Sequence, residues 1–322
     1  MRLRIFAALA ALSVAALTGC GNGGAGGGTS TLRIMAPASP GGGWDQTSRT
    51  AEQALKSVDP GRSVEVYNVP GAGGTIGLAQ LAGEKGNGDL LMTMGLVMVG
   101  AIEQNQSDVT LAETTPIAKL TEEYEIVVVP AESPLQSLQD LVDAWKADPA
   151  KVSVAGGSAG GTDHIVAGLM AKAAGIDPKQ VNYIAHSGGG EALNALLGNK
   201  VTIGVSGVSE FAEHIKSGKL RALGVTSGER LPDVDAPTLK EGGLDVALAN
   251  WRGFVAPAGL SDEDVTALTD LVTKMHDSQT WKDAVAKNGW IDAFMTGQEF
   301  TDYLRSEETR VKGIIAEMGL VS

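Results

Sequence analysis

The chain reads as an α/β protein with mostly parallel sheets. Short aliphatic or β-branched runs recur at 32–36, 64–67, 90–94, 126–129, 152–155, 181–184, 201–205 and 222–226, and stretches with helical spacing separate several of them. Such alternation of strand and helix signals is the mark of that class. With 322 residues, of which 43 % are apolar, the chain can bury a real core and is long enough for two domains of about 100–200 residues each.

The N-terminus comes before any of these elements. Arg2 and Arg4 precede an apolar run at 5–17 that ends in Leu17-Thr18-Gly19-Cys20. A charged start, a short apolar segment and small residues before the cut make a secretory signal. The run is too short for the roughly 20 residues a membrane-spanning helix needs. Leu-Thr-Gly-Cys resembles the bacterial lipobox, so residues 1–19 are expected to be removed as a lipoprotein signal peptide, with Cys20 as the lipid attachment point and membrane anchor. Residues 20–31, read GNGGAGGGTST from Gly21, hold nothing able to build a core and form a glycine-rich tether.

Folded structure is expected from Leu32. After the run at 32–36 comes Pro40-Gly41-Gly42-Gly43-Trp44-Asp45, then a helix signalled by Ala51, Ala54, Leu55 and Val58 at i, i+3, i+4, i+7. The run at 64–67 leads into Pro70-Gly71-Ala72-Gly73-Gly74-Thr75. The run at 152–155 leads into Gly156-Gly157-Ser158-Ala159-Gly160-Gly161-Thr162, with Thr162 placed to cap a helix whose stripe is Ile165, Val166, Leu169, Met170 and Ala173, ending at Gly175. The run at 181–184 leads into His186-Ser187-Gly188-Gly189-Gly190. In the C-terminal third, Ser261 with Asp264 reads as a capping box before Val265, Leu268, Leu271 and Met275, and a second helical stretch covers 299–318.

Much of the chain's glycine thus gathers in four loops at strand ends. Glycine lets backbone N–H groups approach a ligand closely, and a following helix adds free N–H groups and its positive dipole end. Strand, glycine loop and helix start together suit a carboxylate or phosphate, and such loops at the C-terminal ends of strands are where open α/β sheets bind ligands. Nucleotide readings fail, because neither Gly161-Thr162-Asp163 nor Gly74-Thr75-Ile76 supplies the Lys-Ser/Thr pair of a P-loop. Lys+Arg is 25 and Asp+Glu 38, a formal net charge of −13 that becomes −15 once Arg2 and Arg4 are removed. This excludes the basic face of a nucleic-acid binder. It also excludes charge steering as the means of capturing an anion. A single cysteine forms neither an internal disulfide nor a thiolate metal cluster.

The loops carry a resemblance. Pro40 to Asp45, Asn68-Val69-Pro70-Gly71-Ala72-Gly73-Gly74-Thr75-Ile76-Gly77, the stretches 156–164, 183–190 and 218–223, Pro237-Thr238-Leu239-Lys240-Glu241-Gly242-Gly243 and Trp251-Arg252-Gly253-Phe254-Val255-Ala256-Pro257 are similar, in order, to the tripartite tricarboxylate transporter substrate-binding proteins, also called the Bug receptors. The resemblance implies a periplasmic-binding-protein, or Venus-flytrap, fold with a cleft between two α/β domains: 32–124 plus 234–322 as domain 1 and 125–233 as domain 2. It implies a monomeric, lipid-anchored extracytoplasmic receptor, in a periplasm or on a cell surface, that delivers a small organic acid to one large and one small membrane subunit. It implies ligand contacts from Gly41, Gly42, Asp45, Gly73, Gly74 and Thr75 on one wall, and from Ser158, Gly160, Thr162, His164, Ser187 and Gly188 on the other, with Ser206 and Arg252 as further candidates. The chain departs from the pattern at Ala185-His186-Ser187-Gly188, where many members have Pro-Tyr-Lys-Gly, and at Gly88-Asp89-Leu90-Leu91, where many have Asp-Gly-Tyr-Thr. Its glycine-rich fourth loop and Trp251-Arg252-Gly253 look closer to the citrate-type receptors, which points to a tricarboxylate.

Single residues have competing readings. His164 and His186 are each either a cleft donor or a histidine of the scaffold, and Arg252 is either a carboxylate fork or an interdomain ion pair. Asp45 is expected to orient its loop rather than face an anion. Trp44 and Trp251 line the cleft or fill core. His214 and His276 have no second ligand at metal spacing, so neither a metal nor a cofactor is expected. Gly156-Gly157-Ser158-Ala159-Gly160 meets the Gly-x-Ser-x-Gly elbow, which makes a secreted serine esterase with Ser158 as nucleophile the enzyme alternative. Its base would be His164, His186 or a later histidine, but the elbow's Asp and His should follow late in the chain, where only His276 occurs, on an amphipathic helix. A receptor for another transporter or for a sensor is the other alternative.

Overall fold

A computed structural model describes residues 31–320 apart from Asp233. The signal segment and Cys20 lie outside the described residues. Strands and helices alternate as expected at first: β1 (Leu32–Ala36), α1 (Gly43–Val58), β2 (Val64–Asn68), α2 (Thr75–Ala82), β3 (Leu90–Gly95) and α3 (Leu96–Gln104). β1 pairs in parallel with β2 and β3. The next strand, β4 (Thr114–Pro130), has 17 residues, of which only 126–129 are visible as an apolar run. Its first part carries Lys119, Glu122 and Glu123, whose charges break the pattern. Lys119 and Glu123 are nonetheless buried there.

Beyond β4 come α4 (Leu138–Ala147), β5 (Ser153–Gly156), α5 (Thr162–Ala173), β6 (Asn182–Ala185), α6 (Gly189–Leu197), β7 (Ile203–Gly207), α7 (Val208–Lys216) and β8 (Leu220–Val225). β5 pairs in parallel with β6 and β7. The chain then supplies β9 (Ala249–Pro257), α8 (Asp262–Asp277), α9 (Gln279–Asn288), β10 (Ile291–Thr296) and α10 (Gly297–Glu317). The strand order is β2-β1-β3-β9-β4-β7-β5-β6, with β8 and β10 also paired to β4. Every pairing of β4, and that of β3 with β9, is antiparallel. The sheet is therefore mixed, not mostly parallel. The parallel strands sit at its two ends and the long antiparallel β4 and β9 run through its middle, where the polar residues Asn250 and Arg252 hide the strand character of β9 from a search for apolar runs.

β4 changes partners along its length. Thr114 to Tyr124 face β9, while Glu125 to Val128 face β7. The chain comes back beside this point, where Thr226 N–H donates to Glu125 O and Leu248 N–H to Thr226 O. Residues 236–239 stay with β8, since Val225 N–H donates to Pro237 O and Leu239 N–H donates to Val225 O. That stretch, expected with β1–β3 from residue 234 onward, packs on the other set of strands.

The helices cover both faces. α8 lays Leu268, Leu271, Val272 and Met275 on Ala51, Ala54 and Leu55 of α1, and Ser261 caps it through Asp264 N–H as expected. α10 packs Phe300, Leu304, Val311 and Ile315 into the same cluster as Leu96, Val99 and Ile102 of α3. Among the described residues no helix is long and apolar enough to cross a membrane.

Candidate functional site

The glycine loops after β1, β2, β5 and β6 converge on one cavity of about 560 Å³, a volume suited to a small metabolite. Its walls include the starts of four helices: Gly42 to Trp44 at α1, Gly73 and Gly74 before α2, Gly161 and Thr162 at α5, and Gly188 and Gly189 at α6. Of the residues expected to bind, Gly42, Gly73, Gly74, Ser158, Thr162, Ser187, Gly188, Ser206 and Arg252 line it. So does His186, whose Nδ1 lies 3.3 Å from Gly156 O.

Gly41, Asp45, Thr75, Gly160 and His164 do not line it, and their hydrogen bonds show why. The Asp45 carboxylate accepts from Gly41 N–H at 2.8 Å, from Arg49 and from Asn68. Burial raises its pKa, and these bonds outweigh burial and hold the carboxyl below its ordinary range. It fixes the first loop, as expected of it. The Thr75 hydroxyl donates to Ala72 O. Gly160 N–H donates to His164 Nδ1 at 3.1 Å, and the His164 ring stacks on Tyr183 with centroids 4.0 Å apart. Burial pushes His164 down to about 4, and with Nδ1 taken by Gly160 N–H and the ring stacked on Tyr183 this neutral ring braces the third loop. Thr162 does not cap α5: Gly161 is the N-cap, with no side-chain cap bond, and Thr162 is the first helical residue. Trp44 lines the cavity, whereas Trp251 is core, its Nε1 donating to Glu307.

The loop before α2 needs its glycines for more than access. Gly71, Gly73 and Gly74 have φ of 127°, 62° and 92°, with Ala72 at 48° between them. A side chain at Gly73 would run into Ala101 of α3, and one at Gly74 into Trp44 and Met98. A side chain placed at Gly73 would therefore disturb the fold as well as the cavity, because this loop is packed as well as open.

Three polar atoms on nearly fully buried side chains of the cavity wall have no protein partner: Thr162 Oγ1, Asn250 Oδ1 and Arg252 Nη1. Arg252 Nη2 donates to Glu123 at 2.8 Å, an ion pair within the expected domain 1 rather than between the two domains, and Nη1 is left without a protein partner. The same Glu123 accepts Ser209 N–H at the start of α7.

An acidic group at the inner end was not foreseen. Asp163 and Glu210 line the cavity, with Glu125 and Glu123 of β4 behind them. Burial, then the charges of Asp163, Glu123 and Glu210, push Glu125 well above its ordinary range. Burial likewise pushes Asp163 up to about 6, against the hydrogen bonds from Gly157 N–H and Glu125. Burial and the Asp163 charge push Glu210 up to about 7, with Arg252 pulling the other way. In sequence these acids are scattered over 88 positions, and only the fold collects them, from β4, α5 and α7. Among the described residues no group of three or more His, Cys, Asp or Glu is placed to hold a metal ion.

The model of the tripartite tricarboxylate transporter family receptor matches residues 48–320. The chain belongs to that family. It is 27 % identical over 298 residues to protein BugT of Bordetella pertussis, covering 89 % of each chain. Its fold is that of the periplasmic binding protein BugD (TM-score 0.82, 22 % identity, 90 % of this chain and 98 % of the other). MatC of Rhodopseudomonas palustris, solved with bound malate, has the same fold (TM-score 0.79, 23 % identity, 88 % and 98 % coverage). The α/β periplasmic-binding-protein fold follows from these likenesses, and the family is one of extracytoplasmic solute receptors, not enzymes.

Proposed function

We propose that this receptor binds a small organic carboxylate in the 560 Å³ cavity and hands it to the large and small membrane subunits of a tripartite tricarboxylate transporter. The observation that carries the reading is that three residues lining the cavity, Thr162, Asn250 and Arg252, each hold a buried polar atom with no protein partner. A buried polar group without a partner costs about 1–3 kcal/mol, and a ligand carboxylate would relieve that cost at Thr162 and Arg252. Gly42, Gly73, Gly74, Ser158, Ser187, Gly188 and Ser206 are the proposed companions. The helix starts among them supply donors without placing a mobile cation in the cleft.

In this reading the strands on either side of the β4 partner change form two domains, broadly 32–124 with the C-terminal part and 125–233, which close on the ligand. A ligand touching both favours the closed state by its greater affinity for that state. Cys20 tethers the receptor to the membrane through its lipid. Citrate is the ligand that the family's citrate-type members suggest, and malate is the ligand in the MatC structure.

A thermal-shift screen of citrate, malate, succinate and adipate, from micromolar to millimolar concentration, tests the ligand class. Binding to the folded state alone raises the melting temperature with ligand concentration. Stabilisation by at least one of these acids is expected. No shift with any of them, alongside a clear shift with sugars or cations, would remove the carboxylate reading.

A further inference from the structure

The cavity is polarised. The starts of α1, α2 and α5 offer N–H groups to it, and Thr162 and Arg252 line it as well. At the start of α6 the chain supplies its own anion: Glu210 of α7 reaches Gly189, where even a methyl group would collide with its Oε2 and with Ser206 Oγ. The fourth glycine loop, expected to hold a ligand carboxylate, is thus occupied by Glu210. Arg252 is already bonded to Glu123, and among the described residues no salt bridge to Glu210 is formed. A second ligand carboxylate placed here would meet Glu210, with Asp163 close by. A hydroxyl or an ammonium placed here would find an acceptor.

We propose that Glu210 is a specificity-determining residue that accepts a hydrogen bond from the ligand, so that the receptor selects carboxylates carrying a hydroxyl or an ammonium group over those that lack one. This rests on the cavity being the carboxylate site. Citrate and malate have such a hydroxyl and aspartate has such an ammonium, while succinate and tricarballylate present carboxylates alone.

Proton linkage follows from the same geometry. Burial and the Asp163 charge push Glu210 up to about 7 in the free protein. The groups facing it are Asp163 on α5, Glu123 and Glu125 on β4, Arg252 on β9 and the Gly189 N–H on α6. A ligand donor favours ionised Glu210, so affinity is full above that pH and is lost as pH falls through it. A ligand carboxylate at Glu210 would reverse the sign, because it would require the proton.

The test is calorimetric titration of the full chain with three pairs: malate against succinate, citrate against tricarballylate, and aspartate against succinate. A hydrogen bond to a charged acceptor predicts that at least one donor-bearing member binds about tenfold or more tightly than its partner. The malate and aspartate arms tell hydroxyl from ammonium. In Glu210→Gln the ratio narrows and the rise of affinity from pH 6 to pH 8 flattens. Equal affinities within every pair for the unmutated protein, or affinity that falls with rising pH, would overturn the proposal while leaving the carboxylate site standing. Failure of all five acids to bind would overturn both. The paired ratios come from the unmutated protein, so a Glu210→Gln that fails to fold does not decide the matter.

Discussion

Thr162 is fully buried, lines the cavity and has a hydroxyl with no partner. Its sequence position, after Gly160-Gly161 and before a helical stripe, suggested a cap, and only the structure moves it one residue into α5 and leaves its hydroxyl without a protein partner. A structural role and a binding role now predict opposite results. Thr162→Val keeps the shape and removes an unsatisfied group costing about 1–3 kcal/mol, so the ligand-free melting temperature is expected to hold or rise while carboxylate affinity drops several-fold. A lowered melting temperature with unchanged affinity would make Thr162 scaffold. The glycines at 42, 73, 74 and 188 were legible because a strand followed by a glycine run has a local signature. Asp163 and Glu210 were not, because a carboxylate in sequence shows nothing of the burial that raises its pKa.

At the scale of elements, β4 is the piece that the sequence disguises and the fold depends on. Its charged first part pairs with β9 and β10, and Glu123 joins it to Arg252 of β9 and to Ser209 N–H at the start of α7. Strand, strand and helix meet on a single carboxylate at the place where β4 changes partners. Both side chains of the pair are at most 4 % exposed. Removing one member of a buried pair strands the other and costs about 3–5 kcal/mol. Arg252→Met is therefore expected to lower stability by about that amount in urea unfolding, and to weaken carboxylate binding as well. A loss below about 1 kcal/mol would mean that Glu123 finds another partner or takes up a proton. By contrast α8, α10 and the parallel strands β1, β5 and β6 were readable from periodicity and caps, since each has one apolar face or a short apolar run.

For the whole molecule, the charge of −13 sets how an anion arrives rather than how it is held. Repulsion acts over a Debye length of about 8 Å at physiological salt, so stopped-flow association of a di- or tricarboxylate is expected to quicken as salt is raised from low to physiological levels. A rate that falls with salt would indicate a local positive funnel at the cavity and contradict this expectation. The two sets of strands, the shared β4 and the four converging loops together make the cavity, and no single segment contains it. The most direct test of that central claim is a crystal structure of the protein with whichever carboxylate stabilises it most. A ligand carboxylate is expected in the cavity beside Thr162 and the starts of α1, α2 and α5, with any hydroxyl or ammonium turned to Glu210. A ligand bound elsewhere on the molecule, or a cavity that remains empty at saturating carboxylate, would contradict the account.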